Sequence, residues 1–372
     1  MTNQCPDWWT AVQSFLVPGL VVSLIFLAMG QQLIGSILIA LNVAFLSWVL
    51  FHRFGLLSRL TIKKGVSFNL RHMDENLHSR LYQVKCLKNI IALIDHHKKG
   101  PRIVEKHGIR IILRAFILYS DNEKDSEGET GGDVEITELA LQALFGLLRT
   151  SPKDSTEHIL KKWTVHYIAG YVDEITANLD LAEETRNTLL VWVLKIVSQL
   201  SEHTAHQVRA TGVGWSSVLM QSILNCMKQR LRDQLKSGEH IQQWGICSLF
   251  NLQHNTDPAK DSFSKHGGFT VVLDAVRRYR QSLKINQLAA VLMAECVFES
   301  VVKNTTELKF LPEVFAEALS SGVMSALQDM QKEYPNNSDI YNCNRLLKSE
   351  YGKPRKVDVD VECNHVEFIE LN

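Results

Sequence analysis

From Val12 to Phe51 the chain carries no charged side chain. As one straight helix this stretch would run roughly 60 Å, twice the ~30 Å of a hydrocarbon core. A single crossing cannot use it, so it must fold back or be cut. Gly30-Gln31-Gln32 is the natural break, because two amides and a glycine cost least at the far face of a bilayer. The flanking pieces, 12–29 and 33–51, each suit one crossing. The expectation is a membrane anchor over 1–52, built as two transmembrane helices or a hydrophobic helical hairpin.

Charge orients that anchor. His52, Arg53, Arg59, Lys63, Lys64 and Arg71 follow it, whereas only Asp7 precedes it. Basic flanks stay cytosolic, so a basic juxtamembrane linker over 53–75 would lead into a cytosol-facing body. Trp8, Trp9 and Trp48 fall where an aromatic belt would sit, and Arg53, Arg59, Lys63 and Lys64 where lipid headgroups would meet cations. A cleaved signal peptide, a shallow, non-crossing hairpin and a buried pair of soluble core helices are the competing placements. The expected compartment is the endoplasmic reticulum membrane, with the mitochondrial outer membrane or a lipid droplet as alternatives. Lipid is thus one expected partner.

The chain as a whole is balanced in charge, with 40 Lys and Arg against 40 Asp and Glu. That argues against nucleic acid as a partner, which needs a basic surface. Seven cysteines are scattered, and Cys86, Cys226, Cys247 and Cys296 fall inside apolar helical patterns. This is the usage of reduced, packed thiols and not of a disulfide framework.

The body reads as all-α with a recurring register. Ser79–Ile91, Ile136–Leu148, Thr185–Val197, Ile241–Gln253 and Ile285–Val297 place apolar or small residues at their fifth, eighth, ninth and twelfth positions, with Gln83 at the first segment's fifth the one exception. They start 57, 49, 56 and 44 residues apart. Glycine breaks at Gly108, Gly212 and Gly214, and Gly267-Gly268 each precede a new apolar helix. These features resemble the armadillo family, with its glycine pair, second helix and apolar third helix. The likeness implies a right-handed α-solenoid over 76–345, in which stacked helix groups share one continuous core. It also implies a concave surface lined by third helices, on which an asparagine at the eleventh position holds an extended peptide. Those positions here are Asn89, Gly146, Lys195, Asn251 and Glu295. The resemblance therefore makes Asn89, Lys195, Asn251 and Glu295 the groove candidates, while Gly146, Lys195 and Glu295 depart from asparagine. Trp244, at the fourth position of its helix, suits core or edge packing.

Between these helices, Asp121–Asp133 (DNEKDSEGETGGD) reads as an acidic loop. After Ser320 the register frays, and 346–372 reads as a C-terminal tail whose end alternates as VDVDVE before Phe368, Ile369 and Leu371. No catalytic constellation is legible. Glu202, His203 and His206 lack a further zinc ligand, and there is no phosphate-binding glycine loop and no nucleophile elbow. No cofactor, metal or catalytic residue is assigned. The expected function is a membrane-anchored scaffold or adaptor that recruits a protein partner through its solenoid surface and is not an enzyme. The alternatives are a nucleotide-exchange chaperone co-factor, by analogy with clamp-like solenoids, and a membrane-shaping or lipid-droplet hairpin protein.

Overall fold

In a computed structural model, the chain is described over residues 65–120, 133–162, 165–211, 214–232, 236–254, 256–299 and 310–350. The expected anchor, with Trp8, Trp9, Trp48, Arg53, Arg59, Lys63 and Lys64, lies outside those residues. No helix among the described residues is long and apolar enough to cross a membrane. From Asn69 onward the chain is one compact unit.

Its described residues form helices, apart from one isolated bridge. A lead-in pair, α1 (Val66–Glu75) and α2 (Arg80–Asp95), is followed by helices in groups. The first group is α3 (Gly100–Glu105), α4 (Gly108–Ser120) and α5 (Val134–Thr150). The second is α6 (Pro152–Lys162), α7 (Val165–Ala177) and α8 (Glu183–Thr211). Next come α9 (Gly214–Arg230) and α10 (Lys236–Gln253). They lack a short first helix of their own, because α8 runs on for 29 residues and takes its place. Then follow α11 (Asp257–Lys265), α12 (Gly268–Arg278) and α13 (Leu283–Cys296). The last group is α14 (Pro312–Ser320), α15 (Val323–Glu333) and α16 (Ser338–Glu350). Helix α1 takes up residues 66–75 of the expected linker. The expected fraying after Ser320 is likewise corrected: a full helix group occupies 312–350.

The long helices pack in chain order, α2 on α5, α5 on α8, α8 on α10, α10 on α13 and α13 on α16. The second helices α7, α9, α12 and α15 form a parallel series of neighbours. Each group thus buries its apolar face on the next, the quasi-one-dimensional logic of stacked helical units. The recurring apolar positions do this work. Ala140, Leu144 and Leu147 of α5, Leu189, Val193 and Ile196 of α8, and Ala289, Leu292 and Cys296 of α13 are all buried.

The glycine breaks have two separate causes. Gly267 and Gly322 adopt left-handed backbone, with φ of 72° and 88°, and turn the chain into α12 and α15. His107 takes that position before α4, at φ 59°. Gly108 and Gly268 are needed for space: a Cβ would lie 2.4 Å from Ile103 Cγ2 in one case and 2.4 Å from the Phe263 ring in the other. Gly146, at an eleventh position, sits against Ile94, whose Cγ2 would be 3.1 Å from a Cβ. It is a packing residue between α2 and α5.

Polar ends are satisfied locally. Asp133 belongs to α5 as its N-cap, accepting from the Ile136 amide at 3.2 Å, and not to a loose acidic loop. Gln83 donates to the carbonyls of Met73 and Asn76 at the end of α1. Cys86, Cys226, Cys247 and Cys296 are all buried. Burial pushes the Cys247 thiol up to about 12 and raises Cys86 and Cys296 as well. They are packing groups and not nucleophiles at neutral pH. The one strand-like feature among the described residues is an antiparallel bridge between Phe298 and Phe310, whose rings stack at 4.8 Å.

Candidate functional site

On α5, α8 and α10 the residues left partly uncovered recur every three or four positions, as a helix with one face buried requires. On α5 they include Glu138, Gln142 and Phe145; on α8, Thr188, Trp192, Lys195 and Gln199; on α10, His240 and Trp244. The packing order brings three aromatic rings from three consecutive helices together. Phe145 lies 5.8 Å from Trp192 and 6.5 Å, edge-on, from Trp244. The Lys195 ammonium sits 4.1 Å over the Trp192 ring, 5.5 Å from Trp244 and 5.7 Å from Phe145. The rings' negative faces attract the cation, and their apolar bodies cover its stem.

This cation has no ionic partner. No carboxylate lies within ion-pairing distance of Lys195 among the described residues, and burial alone holds its ammonium below the usual lysine range. Its neighbourhood carries both signs of charge. Burial first lowers the His240 imidazole; Glu239 opposes it, and the charges of Lys195 and Lys236 add smaller lowering contributions. Lys284, near the start of α13, acts on Cys247, one turn beyond Trp244. Some exposed cations elsewhere are paired. Arg80 pairs with Asp133 and Glu135, Lys88 with Glu135, Lys265 with Asp261, and Arg280 with Glu333.

Of the groove candidates, only Lys195 lies in this cluster. Asn251 is 8% exposed and turned inward, donating to the Ser198 carbonyl at 3.0 Å and its hydroxyl at 3.1 Å. It ties α10 to α8. Asn89 donates to Asn69 Oδ1 at 3.1 Å, and so spends its amide within the lead-in pair. Glu295 faces His254 Nδ1 at 2.5 Å, further along the same series of helices. The candidates are therefore spread over four helices and engaged internally, apart from Lys195. Helix register explains it: an eleventh-position residue points outward only where the neighbouring helix leaves room.

No family model matches the chain, and no curated protein does. The solved structures include a likeness. The crystal structure of an engineered protein aligns with a TM-score of 0.51 at 12% identity, covering 76% of this chain and 96% of that one. At this identity the likeness speaks of the fold alone: a packed all-helical array.

Reading by position missed Phe145 and Trp192. They stand at the tenth and eighth places of their helices, Trp244 at the fourth. Only the stagger between neighbouring helices makes them one cluster. A usable signal was present, since three large aromatics occupied partly exposed stripes on consecutive long helices. Chemically, the cluster offers a flat apolar floor beside unpaired cations. It has no nucleophile-and-base pair, and no group of three His, Cys, Asp or Glu side chains among the described residues could hold a metal ion.

Proposed function

We propose that this chain is a membrane-anchored, cytosol-facing, armadillo-like scaffold that recruits a protein partner through the third-helix face of its helical array, and that it is not an enzyme. The observation carrying the recruitment is the half-buried cluster of Phe145, Trp192 and Trp244 around an unpaired Lys195. Partly buried tryptophans are among the side chains that dominate protein–protein binding energy. The armadillo-like reading is supported by the helix groups, the left-handed turns at His107, Gly267 and Gly322, and the succession of long helices. The anchor rests on the uncharged stretch Val12–Phe51 and the basic residues after it. Holding the array at a membrane raises a partner's effective concentration there by geometry alone.

Proximity labelling in cells with the full chain tests the recruitment. Trp192→Ala with Trp244→Ala should lose the proteins labelled by the wild type, while Arg277→Ala, a substitution on α12 away from the rings, should keep them. Unchanged labelling by the double variant removes the face from the account. Topology is tested separately. Asn336 is exposed within the sequon Asn336-Asn337-Ser338, and a cytosolic body leaves it without glycan. A glycan at Asn336, or release of the full chain by alkaline carbonate, contradicts the placement.

A further inference from the structure

The turns that join second helices to third helices fall along one edge of the array. Asn187, near the start of α8, donates to Ser237 Oγ at the start of α10 at 3.1 Å. Arg230, closing α9, donates to the Thr176 carbonyl near the end of α7. Tyr334, just after α15, donates to the Arg280 carbonyl just after α12 at 2.8 Å, and Arg280 pairs with Glu333. At the far end of α10, Gln253 donates to the Leu292 carbonyl of α13, so those two helices run side by side in one direction. Neighbouring turns are therefore about 10 Å apart. This edge also collects the exposed apolar side chains. Among the described residues from Asn69 onward, Leu81, Leu118, Leu179, Leu283 and Tyr341 stand in or beside these turns, and Val218, near the start of α9, is the one at the opposite edge.

Two neighbouring turns on this edge are basic. The one from α9 to α10 carries Lys228, Arg232 and Lys236, and the one from α12 to α13 carries Arg278, Arg280 and Lys284. Glu239 and Asp274 are the acids beside them on the same helices, among the described residues. Cations closing α9 and α12 suit those helices' dipoles. Lys236 and Lys284, however, open the next two helices, where the dipole opposes a cation, and α13 has no acid in its first turn. Local helix chemistry therefore does not account for the sign of these turns. The turn before them, from α7 to α8, has the reverse sign, with Asp180, Glu183 and Glu184 exposed. The positive charge is a property of two adjacent turns and not of the whole edge. Leu283 projects between their cations, 44% exposed.

We propose that the α9–α10 and α12–α13 turns form a second membrane contact, in which the edge of the array rests on an anionic lipid surface. Leu283 enters the headgroup region, and Lys228, Arg232, Lys236 and Arg278 meet lipid phosphates. A leucine projecting among lysines and arginines matches a bilayer interface, where apolar and anionic groups lie one beneath the other. The anchor read from Val12–Phe51 keeps the body close to such a surface, so a contact too weak to hold a free protein is populated. The inference draws on that reading for proximity alone. Its consequence is orientation. Trp244 lies eight residues along α10 from Lys236, about 12 Å of helix. An array standing on this edge carries the Phe145, Trp192 and Trp244 rings clear of the headgroups and turned sideways toward a partner.

Photocrosslinking of the full chain tests it, after reconstitution into vesicles of phosphatidylcholine alone or of phosphatidylcholine and phosphatidylserine in equal parts. One variant carries Leu283→p-benzoylphenylalanine and another Val218→p-benzoylphenylalanine, and mass spectrometry maps the adducts after irradiation. Lipid adducts at position 283 in the anionic vesicles should exceed those at 218, and those at 283 without phosphatidylserine, by about fivefold or more. Arg232 and Arg278 are exposed and pair with no carboxylate among the described residues. Arg232→Glu with Arg278→Glu should therefore lower the yield at 283 by a similar factor, at unchanged far-ultraviolet circular dichroism. Equal yields at the two positions, yields indifferent to phosphatidylserine or to the charge reversal, or coupling of position 283 to a second copy of the chain would each overturn the proposal. Alkaline carbonate separates it from the anchor. A chain that stays in the membrane without adducts at 283 keeps the anchor and loses this contact. A chain that carbonate releases, yet that couples at 283 to the anionic vesicles, loses the anchor and keeps the contact.

Discussion

Among the described residues, two lysines have their ammonium groups pulled below the usual range by burial, and they stand in opposite settings. Lys260, on α11, is 2% exposed and donates to the Phe298 carbonyl at 2.8 Å, with the charges of Glu295 and Asp257 acting in its favour. Phe263, Phe269 and Cys296, all fully buried, belong to the same packed region, and the Cys296 thiol contacts the Lys260 carbonyl. Lys195, on α8, is half-buried, meets three aromatic rings and pairs with no carboxylate among the described residues. A buried cation with its donor satisfied and acids near it is part of the architecture. A half-buried cation on a ring face, unmatched, is a surface prepared for something else. The contrast separates the region that holds α11–α13 and the start of the following segment together from the region that has contact to offer.

The largest expected effect tests the packed region. Lys260→Ala leaves the Phe298 carbonyl without its donor and opens a cavity beneath α11, for an expected loss of on the order of 3 kcal/mol. Urea unfolding of the full chain in detergent, followed by far-ultraviolet circular dichroism, measures it. The lysine also leaves a pH signature. Its folded pKa lies below its unfolded value of about 10.4. The unfolded chain therefore binds more protons between the two values, and this residue's contribution to stability rises with pH across that window. Lys260→Met, which keeps much of the volume, should remove that rise. A variant with the wild-type slope would show that Lys260 is not the group responsible, and the comparison would lose its first half.

A second effect in the same region comes from Gly268. Its Cβ would sit 2.4 Å from the ring of Phe263, which is locked edge-on against Phe269 at 5.1 Å. Gly268→Ala should cost about 2 kcal/mol as overpacking. Gly322→Ala meets nothing within 4 Å and suffers only its φ of 88°, so about 1 kcal/mol is expected there. The two turns look alike in sequence, and equal losses in melting experiments would mean that the close approach at α11–α12 is not rigid.

Much of the fold was legible because stacking imposes phase. Residues such as Leu144, Val193 and Leu292 recur in register, and glycines stand where second helices begin. The last group was not legible. In α16 only Ile340, Asn344 and Leu347 are buried among the described side chains, one residue per turn, and most of its other residues are polar. A terminal helix covers its neighbour on one side only, so it lacks the broad apolar stripe that betrays interior ones. Lys260 was hidden for a related reason: DPAKDSFSK looks like a solvated helix until its neighbours are in place. The candidate site was half legible. Lys195 was picked by position. The rings around it depend on the stagger between helices some fifty residues apart, which no single-helix pattern records.

Asn251 marks the border between the two regions and sharpens it. The position suggested a peptide ligand, yet both of its amide bonds go to Ser198 across the α8–α10 contact. Asn251→Ala should lower stability by about 1–2 kcal/mol, since it leaves the Ser198 carbonyl without that donor in a buried place. Any effect on partner labelling should then shrink when the assay is run further below the melting temperature. A strong labelling defect at unchanged stability would move Asn251 to the surface side of the comparison.

The smallest expected effect on folding falls on Lys195, and its smallness is the point. Lys195→Ala removes a cation–π contact of about 0.5–1 kcal/mol and some cover over the rings. It also removes the cost of keeping a desolvated, unmatched ammonium beside Lys236 and His240. The two terms oppose each other, so urea midpoints of variant and wild type should agree to within about 0.5 kcal/mol. Lys195→Glu should also fold, because the rings stay packed, but it places a carboxylate where an acidic occupant would have to approach. Partner labelling should fall more with Glu than with Ala, and the difference should narrow as salt is raised, as a pairing of charges across a wet interface requires. If Lys195→Ala instead destabilised the fold as much as Lys260→Ala, the ammonium would be another structural cation, and its unmatched charge would no longer argue for a ligand.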